Sequence, residues 1–281
     1  MIEYFLARII LLKIRLFAPA ARVYVKLFDL AMPRFRKIAN RNLAMAGFAN
    51  PGRITDGVYA SIARLAVTFA RFPSIHADNV RQWIRYDGFE HFEAARAKGK
   101  GVLIATAHFG NWELSAFAHA LLTAPMHIVV RPLDNPRIDA MVEHYRSLSG
   151  NHIITKRDAA RDILRALKSG NAVGILVDQN TLPEEGVFVD FFGVKACANS
   201  AFVKLAHHSG AAVVPGYALW SEKAKQYILR FDPEIPMTGD VQRDTQAIHS
   251  HLESVIRKNP DQYLWIHRRW KTRPPGEAPL Y

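Results

Sequence analysis

The chain has 281 residues, of which 49% are hydrophobic and 22% charged, so it can bury a full core and is not a disordered or low-complexity protein. Its formal net charge of +12 indicates an anionic partner, which on charge alone can be nucleic acid, acidic lipid, a phosphorylated substrate or an acidic protein. The single Cys197 excludes an internal disulfide and fits a reducing cytosol.

The first 50 residues carry more than half of the excess charge. They hold nine basic and two acidic residues, a net +7 of the total +12. The basic residues alternate with large apolar ones, which is typical of a helix that lies on a membrane. A spanning helix is not predicted, because Arg8, Lys13, Arg15 and Arg22 interrupt every apolar stretch. Packing of the apolar side against the protein itself is the alternative.

The remaining pattern divides the chain into two regions. Residues 1–80 form an N-terminal helical, membrane-associating region, with helix breaks at Pro33, at 50–52 and at 72–73. Residues 81–281 form an α/β domain, because apolar strands alternate with helices, and parallel strands need crossover helices. The fold class is therefore α/β, a mostly parallel sheet covered by helices. Its strands are predicted at 102–106, 128–130, 153–154, 172–177, 211–214 and 227–231, and its helices at 112–122, 136–148, 159–168, 200–208 and 244–258.

A histidine and an acid follow the first of these strands. Ligands of such sheets bind beyond the carboxyl ends of the strands, which is where His108 and Glu113 lie. Neutral His108 can accept the proton of an acceptor hydroxyl as general base, while Glu113 holds the other ring nitrogen. The next helix begins near Asn111, and its free amide groups can hold a thioester oxyanion or a phosphate. A hydrogen-bonded structural histidine is the alternative.

Two further strand ends carry polar side chains. Arg131 ends the second strand, where a guanidinium can bind phosphate with two hydrogen bonds. A surface arginine before a proline turn is the alternative. Asp178 ends a later strand, where it either joins the site or only caps the turn.

Six blocks of sequence resemble one enzyme family. The string His108-Phe-Gly-Asn-Trp-Glu113 resembles the His-x4-acid motif of the lysophospholipid acyltransferase superfamily, and in particular its lipid A late-acyltransferase (lauroyl/myristoyl transferase) branch. Members usually begin with a longer hydrophobic anchor, which charges interrupt here. The other blocks follow in order at 131–136, 178–180, 188–193, 214–215 and 262–274.

The resemblance implies a glycerolipid-acyltransferase-like fold and a reaction. A fatty acyl group would move from acyl carrier protein, or less often coenzyme A, to a hydroxyl of a lipid A precursor, with these thioesters as co-substrates and no cofactor. The enzyme would be peripheral or monotopic on the cytoplasmic face of the inner membrane. By position, His108 is the base, Glu113 its partner, and Arg131 lies at the acceptor or transition-state corner. Asp178 and Gln179 line the next strand end.

Two segments near the C-terminus remain open to more than one interpretation. The block 188–193 is too apolar for an exposed loop, so it forms a wall of an acyl-chain pocket, a lip in the membrane or ordinary core. Arg268 and Arg269 belong to a basic patch that also contains Trp265 and Trp270. Phosphorylated sugars or the acidic carrier protein are its expected partners. RNA is the alternative, which the lack of a recognisable nucleic-acid motif opposes.

Three other functions compete with this hypothesis. The first is a non-catalytic lipid- or nucleic-acid-binding protein on the same fold. The second is an acyltransferase that acts on a different glycolipid, and the third is a lipid hydrolase in which the histidine activates water. No metal site is predicted, because the histidines lack further ligands at recognisable spacings.

Overall fold

The computed structural model describes residues 2–155 and 159–281. Its N-terminal part is helical, and the predicted breaks at Pro33, 50–52 and 72–73 are confirmed. A further break at 17–19 was not predicted. Pro19 stands directly before the second helix, a position that proline tolerates because the first amides of a helix have no partner within it. The four helices are α1 (Ile2–Leu16), α2 (Ala20–Ala31), α3 (Pro33–Met45) and α4 (Pro51–Arg71).

Strands and helices alternate in the rest of the chain, as predicted. Short 3-10 turns lie at Phe72–Ser74, Val80–Gln82, Pro183–Glu185 and Pro260–Gln262. The strands are β1 (Ile84–Asp87), β2 (Val102–Thr106), β3 (His127–Val130), β4 (His152–Thr155), β5 (Ala172–Leu176), β6 (Gly186–Phe191), β7 (Val194–Asn199), β8 (Ala212–Ser221) and β9 (Gln226–Phe231). The helices are α5 (Phe89–Ala97), α6 (Trp112–Leu122), α7 (Pro136–Ser147), α8 (Ala159–Lys168), α9 (Ala201–Ser209) and α10 (Val241–Lys258).

Seven strands form one sheet in the order β1-β9-β8-β2-β5-β3-β4. Only the pair β8–β9 is antiparallel among the neighbours described. The α/β class with a mostly parallel sheet is therefore confirmed. Two features were not predicted from the sequence: β1, which has four residues, and the hairpin β6–β7, which is paired apart from the main sheet.

The central strand β2 is buried on both faces. Ile104 packs with Phe117 and Phe231 on one face, whereas Leu103 packs with Leu167 on the other. Successive side chains of a strand point to opposite faces, so an uninterrupted apolar run is what a strand covered on both sides requires. The rigid centre that results holds the residues following β2 in place.

The N-terminal helices leave much of their apolar surface exposed. Ile14 is the only buried residue of α1, and it packs with Ala21, Ala63 and Ala70. Contiguous exposed apolar surface of this kind marks an interaction site. Within the described residues, none of the helices combines the length and the apolar character that a membrane span needs. The exposed large apolar residues of this surface are Ile2, Phe5, Leu6, Ile9, Leu12, Leu16, Phe17, Val23, Leu27, Phe28 and Leu30.

Candidate active site

A histidine and an aspartate meet at the carboxyl edge of the sheet. His108 Nδ1 lies 3.0 Å from Asp178 Oδ1. The strands β2 and β5 pair in register, with Thr106 opposite Leu176. Two residues beyond that pair, His108 and Asp178 keep the same separation in sequence, 70 positions. The contact is thus a continuation of the strand register past the end of the sheet.

Burial and charge act in opposite directions on this pair. Burial favours the neutral form of His108, but the Asp178 carboxylate outweighs it and raises the pKa of the histidine. Burial also opposes the charge of Asp178, and the hydrogen bond and charge of His108 lower the pKa of that carboxyl. When Nδ1–H donates a hydrogen bond to Asp178, the proton stays on Nδ1. The lone pair of Nε2 is then free to accept a proton. Nε2 makes no hydrogen bond with residues in the described ranges.

Glu113 does not contact His108 as predicted. Its two carboxylate oxygens accept hydrogen bonds from Arg146, at 2.8 Å from Nε and 2.6 Å from Nη2. The predicted hydrogen bond from His108 to Glu113 is therefore wrong, and Asp178 takes that place. The physical reason is direction: Glu113 lies in the first turn of α6 and faces Arg146 of α7. The charge of Glu113 still acts through space to raise the pKa of His108.

Arg146 was not predicted from the sequence, although its place on α7 indicates that it is buried. Val142 and Tyr145 of the same helix pack against the core, and Arg146 follows on that side. An arginine on an apolar helix face needs a carboxylate partner to offset the loss of water. Both side chains of the ion pair are mostly buried, with 12% of Glu113 and 19% of Arg146 exposed.

Asn111 lies in the interior and not at an open surface. Its Oδ1 accepts a hydrogen bond from the Leu114 amide at 3.0 Å, and its Nδ2 donates to Thr68 Oγ1 at 2.6 Å. The side chain therefore caps the start of α6 and ties it to α4. The substrate contact predicted for Asn111 cannot come from this buried side chain. Gly110 precedes it at φ +63°, where a Cβ atom would lie 2.0 Å from the Ala218 carbonyl oxygen, so only glycine fits.

The loop after β3 is exposed and touches the first helix. Arg131 is 81% exposed and makes only a loose contact of 3.9 Å with Asp134, so its donors face outward. Asn135 of the same loop donates a hydrogen bond to Glu3 of α1 at 2.7 Å. Gln179 is exposed beside Asp178. The catalytic and binding roles of these residues remain predictions.

The C-terminal block 262–274 packs behind the site. Trp265 and Trp270 are buried, so they are not available for stacking on bases. No strand forms here. Arg269 is also buried, where Nη1 donates to the Cys197 carbonyl at 2.7 Å and burial lowers the pKa of the guanidinium. The prediction that Arg269 meets substrate at the surface is wrong, because its side chain packs inward against Phe191 and the Cys197 carbonyl, whereas Arg268 is exposed.

A second histidine supports the same corner. His267 Nε2 accepts a hydrogen bond from the Asn180 amide at 3.0 Å. Burial lowers the pKa of His267 to about 4, so the ring is neutral at physiological pH. The apolar block 188–193 packs in the same region, where Phe191 and Phe192 contact Trp270 and Trp265. This block is ordinary core.

An apolar cavity of about 70 Å³ opens between α6 and the sheet. Its lining follows α6 from Trp112 to His119, a rise of about 10 Å. The ion pair of Glu113 and Arg146 contributes to one part of the lining, and Met126 contributes another. Trp112, at one end of this lining, has its ring centre 5.1 Å from that of His108, and apolar walls of this kind suit an acyl chain better than a polar substrate. Across the residues described, no group of three or more potential metal ligands is present.

The fold and the site together define a class. A mostly parallel α/β sheet carries, at its carboxyl edge, a histidine with a buried carboxylate partner, an arrangement that can accept a proton from a hydroxyl group. The family model described as bacterial lipid A biosynthesis acyltransferase matches residues 3–272. The chain belongs to this family, and the acyltransferase class predicted from the sequence is confirmed.

Individual relatives agree with the family. The chain is 32% identical to a lipid A biosynthesis lauroyltransferase of Escherichia coli over 205 residues, which cover 72% of this chain and 66% of that protein. It is 33% identical to a palmitoleoyltransferase of the same organism over 207 residues, with the same coverage, 72% and 66%. A lipid A biosynthesis acyltransferase of Haemophilus influenzae is 25% identical over 227 residues, covering 80% of this chain and 71% of that protein. The alignments thus span 66% to 71% of these relatives.

Proposed function

We propose that this protein transfers a fatty acyl group from a thioester to a hydroxyl of a lipid A precursor. The observation that carries the proposal is the 3.0 Å contact between His108 and Asp178, which leaves Nε2 as the base. Family membership supports the reaction class, since the named relatives are lipid A biosynthesis acyltransferases. Acyl carrier protein is the proposed donor, with coenzyme A as the second candidate.

The reaction follows from the position of the proton. His108 Nε2 accepts the proton of the acceptor hydroxyl as its oxygen attacks the thioester carbonyl carbon. Asp178 holds Nδ1–H and stabilises the imidazolium that forms. The C–O bond forms, the C–S bond breaks, and the imidazolium returns its proton to the departing thiolate. The first amides of α6, which face this corner, stabilise the oxyanion of the intermediate.

The acyl chain and the acceptor take different sides of this corner. The apolar cavity along α6 accepts the acyl chain, and the ion pair of Glu113 and Arg146 borders it. Arg131, with its exposed guanidinium, binds a phosphate of the acceptor. The hydrogen bond from the Arg131 loop to α1, between Asn135 and Glu3, keeps that guanidinium beside the N-terminal helices.

The N-terminal surface brings the site to the lipid. Exposed apolar side chains of α1 and α2 enter the interface, and the surrounding Lys and Arg meet anionic headgroups. We place the enzyme on the cytoplasmic face of the inner membrane, peripheral or monotopic, where a thioester donor from the cytosol and a lipid acceptor meet. The basic residue Arg268 is a candidate contact for an acidic carrier protein.

The test is acyl transfer by a His108→Ala variant. Purified protein receives labelled acyl carrier protein and a lipid A precursor in detergent micelles, and labelled lipid is measured. We expect no transfer above background. His207→Ala is the matched control, because His207 also pairs with a buried carboxylate, at 2.7 Å from Asp244, on α9. Full activity of His108→Ala would overturn the mechanism.

The same assay separates the competing functions. Release of free fatty acid without an acceptor indicates a hydrolase, and an absence of any chemistry in the wild type indicates a binding protein. Mass spectrometry of host glycolipids, with and without the protein, identifies the acceptor and the acyl chain together. A change confined to a glycolipid other than lipid A would replace the proposed acceptor.

A further inference from the structure

A second and larger cavity lies on the other side of α4, between the turn joining α1 and α2 and the hairpin β8–β9. Its volume is about 510 Å³, and it shares no lining residue with the cavity along α6. None of its lining residues is acidic. We call it the basic groove, defined by Arg22, Arg64, Trp83, Trp220, Lys225 and Tyr227.

Arg64 is held in the groove against Trp220 and Tyr227, with one of its donors unpartnered in the described part of the chain. Its guanidinium carbon lies 5.5 Å from the centre of the Trp220 ring, a stacking contact that fixes the side chain. Its Nε has no hydrogen-bond partner among residues 2–155 and 159–281. Its nearest carboxylate contact, from Nη1 to Glu222, is 3.9 Å long, which is beyond hydrogen-bonding distance. A buried arginine donor without a partner favours an anionic ligand.

The charge balance of the groove remains positive. Glu222 is the acid closest to it, and its carboxylate is already engaged by Lys225 at 2.7 Å and by the Trp220 indole at 2.8 Å. Three cations, Arg22, Arg64 and Lys225, face the one carboxylate of Glu222, so the net charge of these groups is +2. The Arg64 guanidinium beside the Trp220 indole, together with Arg22, suits a phosphate on a larger molecule, because arginine binds phosphate with two parallel hydrogen bonds.

Exposed apolar residues stand next in sequence to lining residues of the groove. Leu16 and Phe17, at the turn between α1 and α2, are 77% and 63% exposed, and Val23 next to Arg22 is 57% exposed. A free phosphate ion gains nothing from contact with apolar side chains, so these residues do not favour it as the ligand. A lipid with an anionic headgroup uses both parts, since its head enters the groove while its chains lie against the apolar side chains.

We propose that the basic groove binds the phosphate headgroup of an anionic membrane phospholipid. The site is separate from the residues that carry the proposed reaction, and it shares with that proposal only the contact of α1 and α2 with the membrane. A bound lipid bridges the N-terminal helices to β8–β9 through one phosphate. It therefore fixes how the sheet edge is oriented on the membrane.

The test compares vesicle binding by two double variants of equal charge. Arg22→Gln/Arg64→Gln alters the groove, and Lys13→Gln/Arg15→Gln removes two exposed charges from α1 outside it. Vesicles consist of phosphatidylcholine with or without phosphatidylglycerol, and binding is measured by co-sedimentation. Surface attraction alone predicts a loss of roughly 30-fold for both variants. The groove predicts that its variant loses about tenfold more than the control does, because a specific bidentate contact is also lost.

Further measurements keep the outcome clear. The single variant Arg22→Gln changes an exposed residue and must show the same direction of effect, so that a folding defect of Arg64→Gln cannot explain the result. Brominated phosphatidylglycerol should quench tryptophan fluorescence in the wild type and less in the groove variant. His108→Ala must bind these vesicles normally, which separates this site from the proposed catalysis. Equal losses in both double variants would overturn the proposal.

Two other sources of phosphate have their own readouts. Titration with inorganic phosphate in the absence of lipid should show no saturable binding, and saturation would mean that a free anion is the ligand. If the groove instead holds the acceptor, the groove variant raises the KM for the lipid A precursor in phospholipid-free micelles while vesicle binding stays unchanged. Either result would replace the membrane phospholipid as the ligand.

Discussion

Two carboxylates at the same edge of the sheet have basic partners of different kinds. Asp178 bonds to His108 at 3.0 Å, and Glu113 bonds to Arg146 through both oxygens. An imidazole gains and loses its proton near neutral pH, whereas a guanidinium stays protonated. The first pair is therefore suited to moving a proton and the second to holding a fixed shape.

The hydrogen bonds of the two pairs agree with these different roles. One ring nitrogen of His108 makes no hydrogen bond within the described part of the chain. Both oxygens of the Glu113 carboxylate, by contrast, accept hydrogen bonds from Arg146. The fixed pair also lines the apolar cavity. We infer that Glu113 and Arg146 shape the entrance of the acyl chain, and that the acid of the family motif acts as a positioning residue.

The largest expected effect is on the rate of the titrating pair. Asp178→Asn keeps the size of the side chain but removes the charge that holds the histidine tautomer. We expect kcat to fall on the order of 10³- to 10⁴-fold, with the unfolding midpoint in urea nearly unchanged at a pH above the raised pKa of His108. Labelled acyl transfer under saturating substrates measures it. A kcat within a few-fold of wild type would show that the contact is only structural.

The second effect is on the stability of the fixed pair. Arg146→Met leaves the mostly buried Glu113 carboxylate without a partner, and we expect a loss of about 3 kcal/mol in the free energy of unfolding. The double variant Glu113→Gln/Arg146→Met should regain most of that loss, because no lone charge remains. Urea denaturation of the four proteins gives the coupling. If the effects of the two substitutions on the free energy of unfolding simply add, the result would contradict a tight ion pair between Glu113 and Arg146.

The third effect concerns the cavity that the fixed pair borders. A Cβ atom added at Gly174 would lie 2.8 Å from the terminal methyl carbon of Met126, so the two residues share one part of the lining. Met126→Ala should shift preference toward a longer acyl chain, and Gly174→Ala toward a shorter one, each by roughly tenfold in kcat/KM ratio. Competition between donors of two chain lengths measures the ratio. Unchanged kcat/KM ratios in both variants would mean that the acyl chain does not bind in this cavity.

The smallest effect is a shift in pH dependence. His108 acts as a base only when neutral, so kcat/KM should rise with pH through the raised pKa of His108. Removing the Asp178 charge leaves burial, which lowers that pKa, and the rise should move to lower pH in Asp178→Asn. The residual kcat/KM of this variant, measured across pH, gives the pH at which activity rises. A rise at the same pH as in the wild type would mean that another group titrates.

The pKa shift of His108 also predicts a dependence of stability on pH. Because the folded-state pKa is raised above 6.5, the stabilisation by the charged histidine is fully present below pH 6.5 and is lost as pH rises through the folded value. The active, neutral form is thus the less stabilised one, so urea midpoints of wild type should exceed those of Asp178→Asn most below pH 6.5 and above the lowered pKa of Asp178, where both partners are charged. The gap should narrow as the histidine deprotonates.

Much of the fold was predictable from sequence because its signals are local. The run Val102–Thr106 is apolar throughout, as a strand buried on both faces must be, and α6 was predicted with its observed bounds. The identity of His108 as a candidate base came from its place after that strand. The short strand β1 gave a weaker signal, since its partner β9 lies far away in sequence, and the hairpin β6–β7 was not recognised although its two strands are neighbours in sequence.

The sequence by itself determined where His108 and Asp178 stand, each directly after an apolar strand, and which family their motifs resemble. Only the tertiary structure decided that the two side chains meet, because that depends on β5 lying next to β2 in register. It also decided that Glu113 turns away to Arg146 and that Arg269 is buried. A spacing of five residues limits where a side chain can reach, but helix direction and neighbouring strands choose its partner.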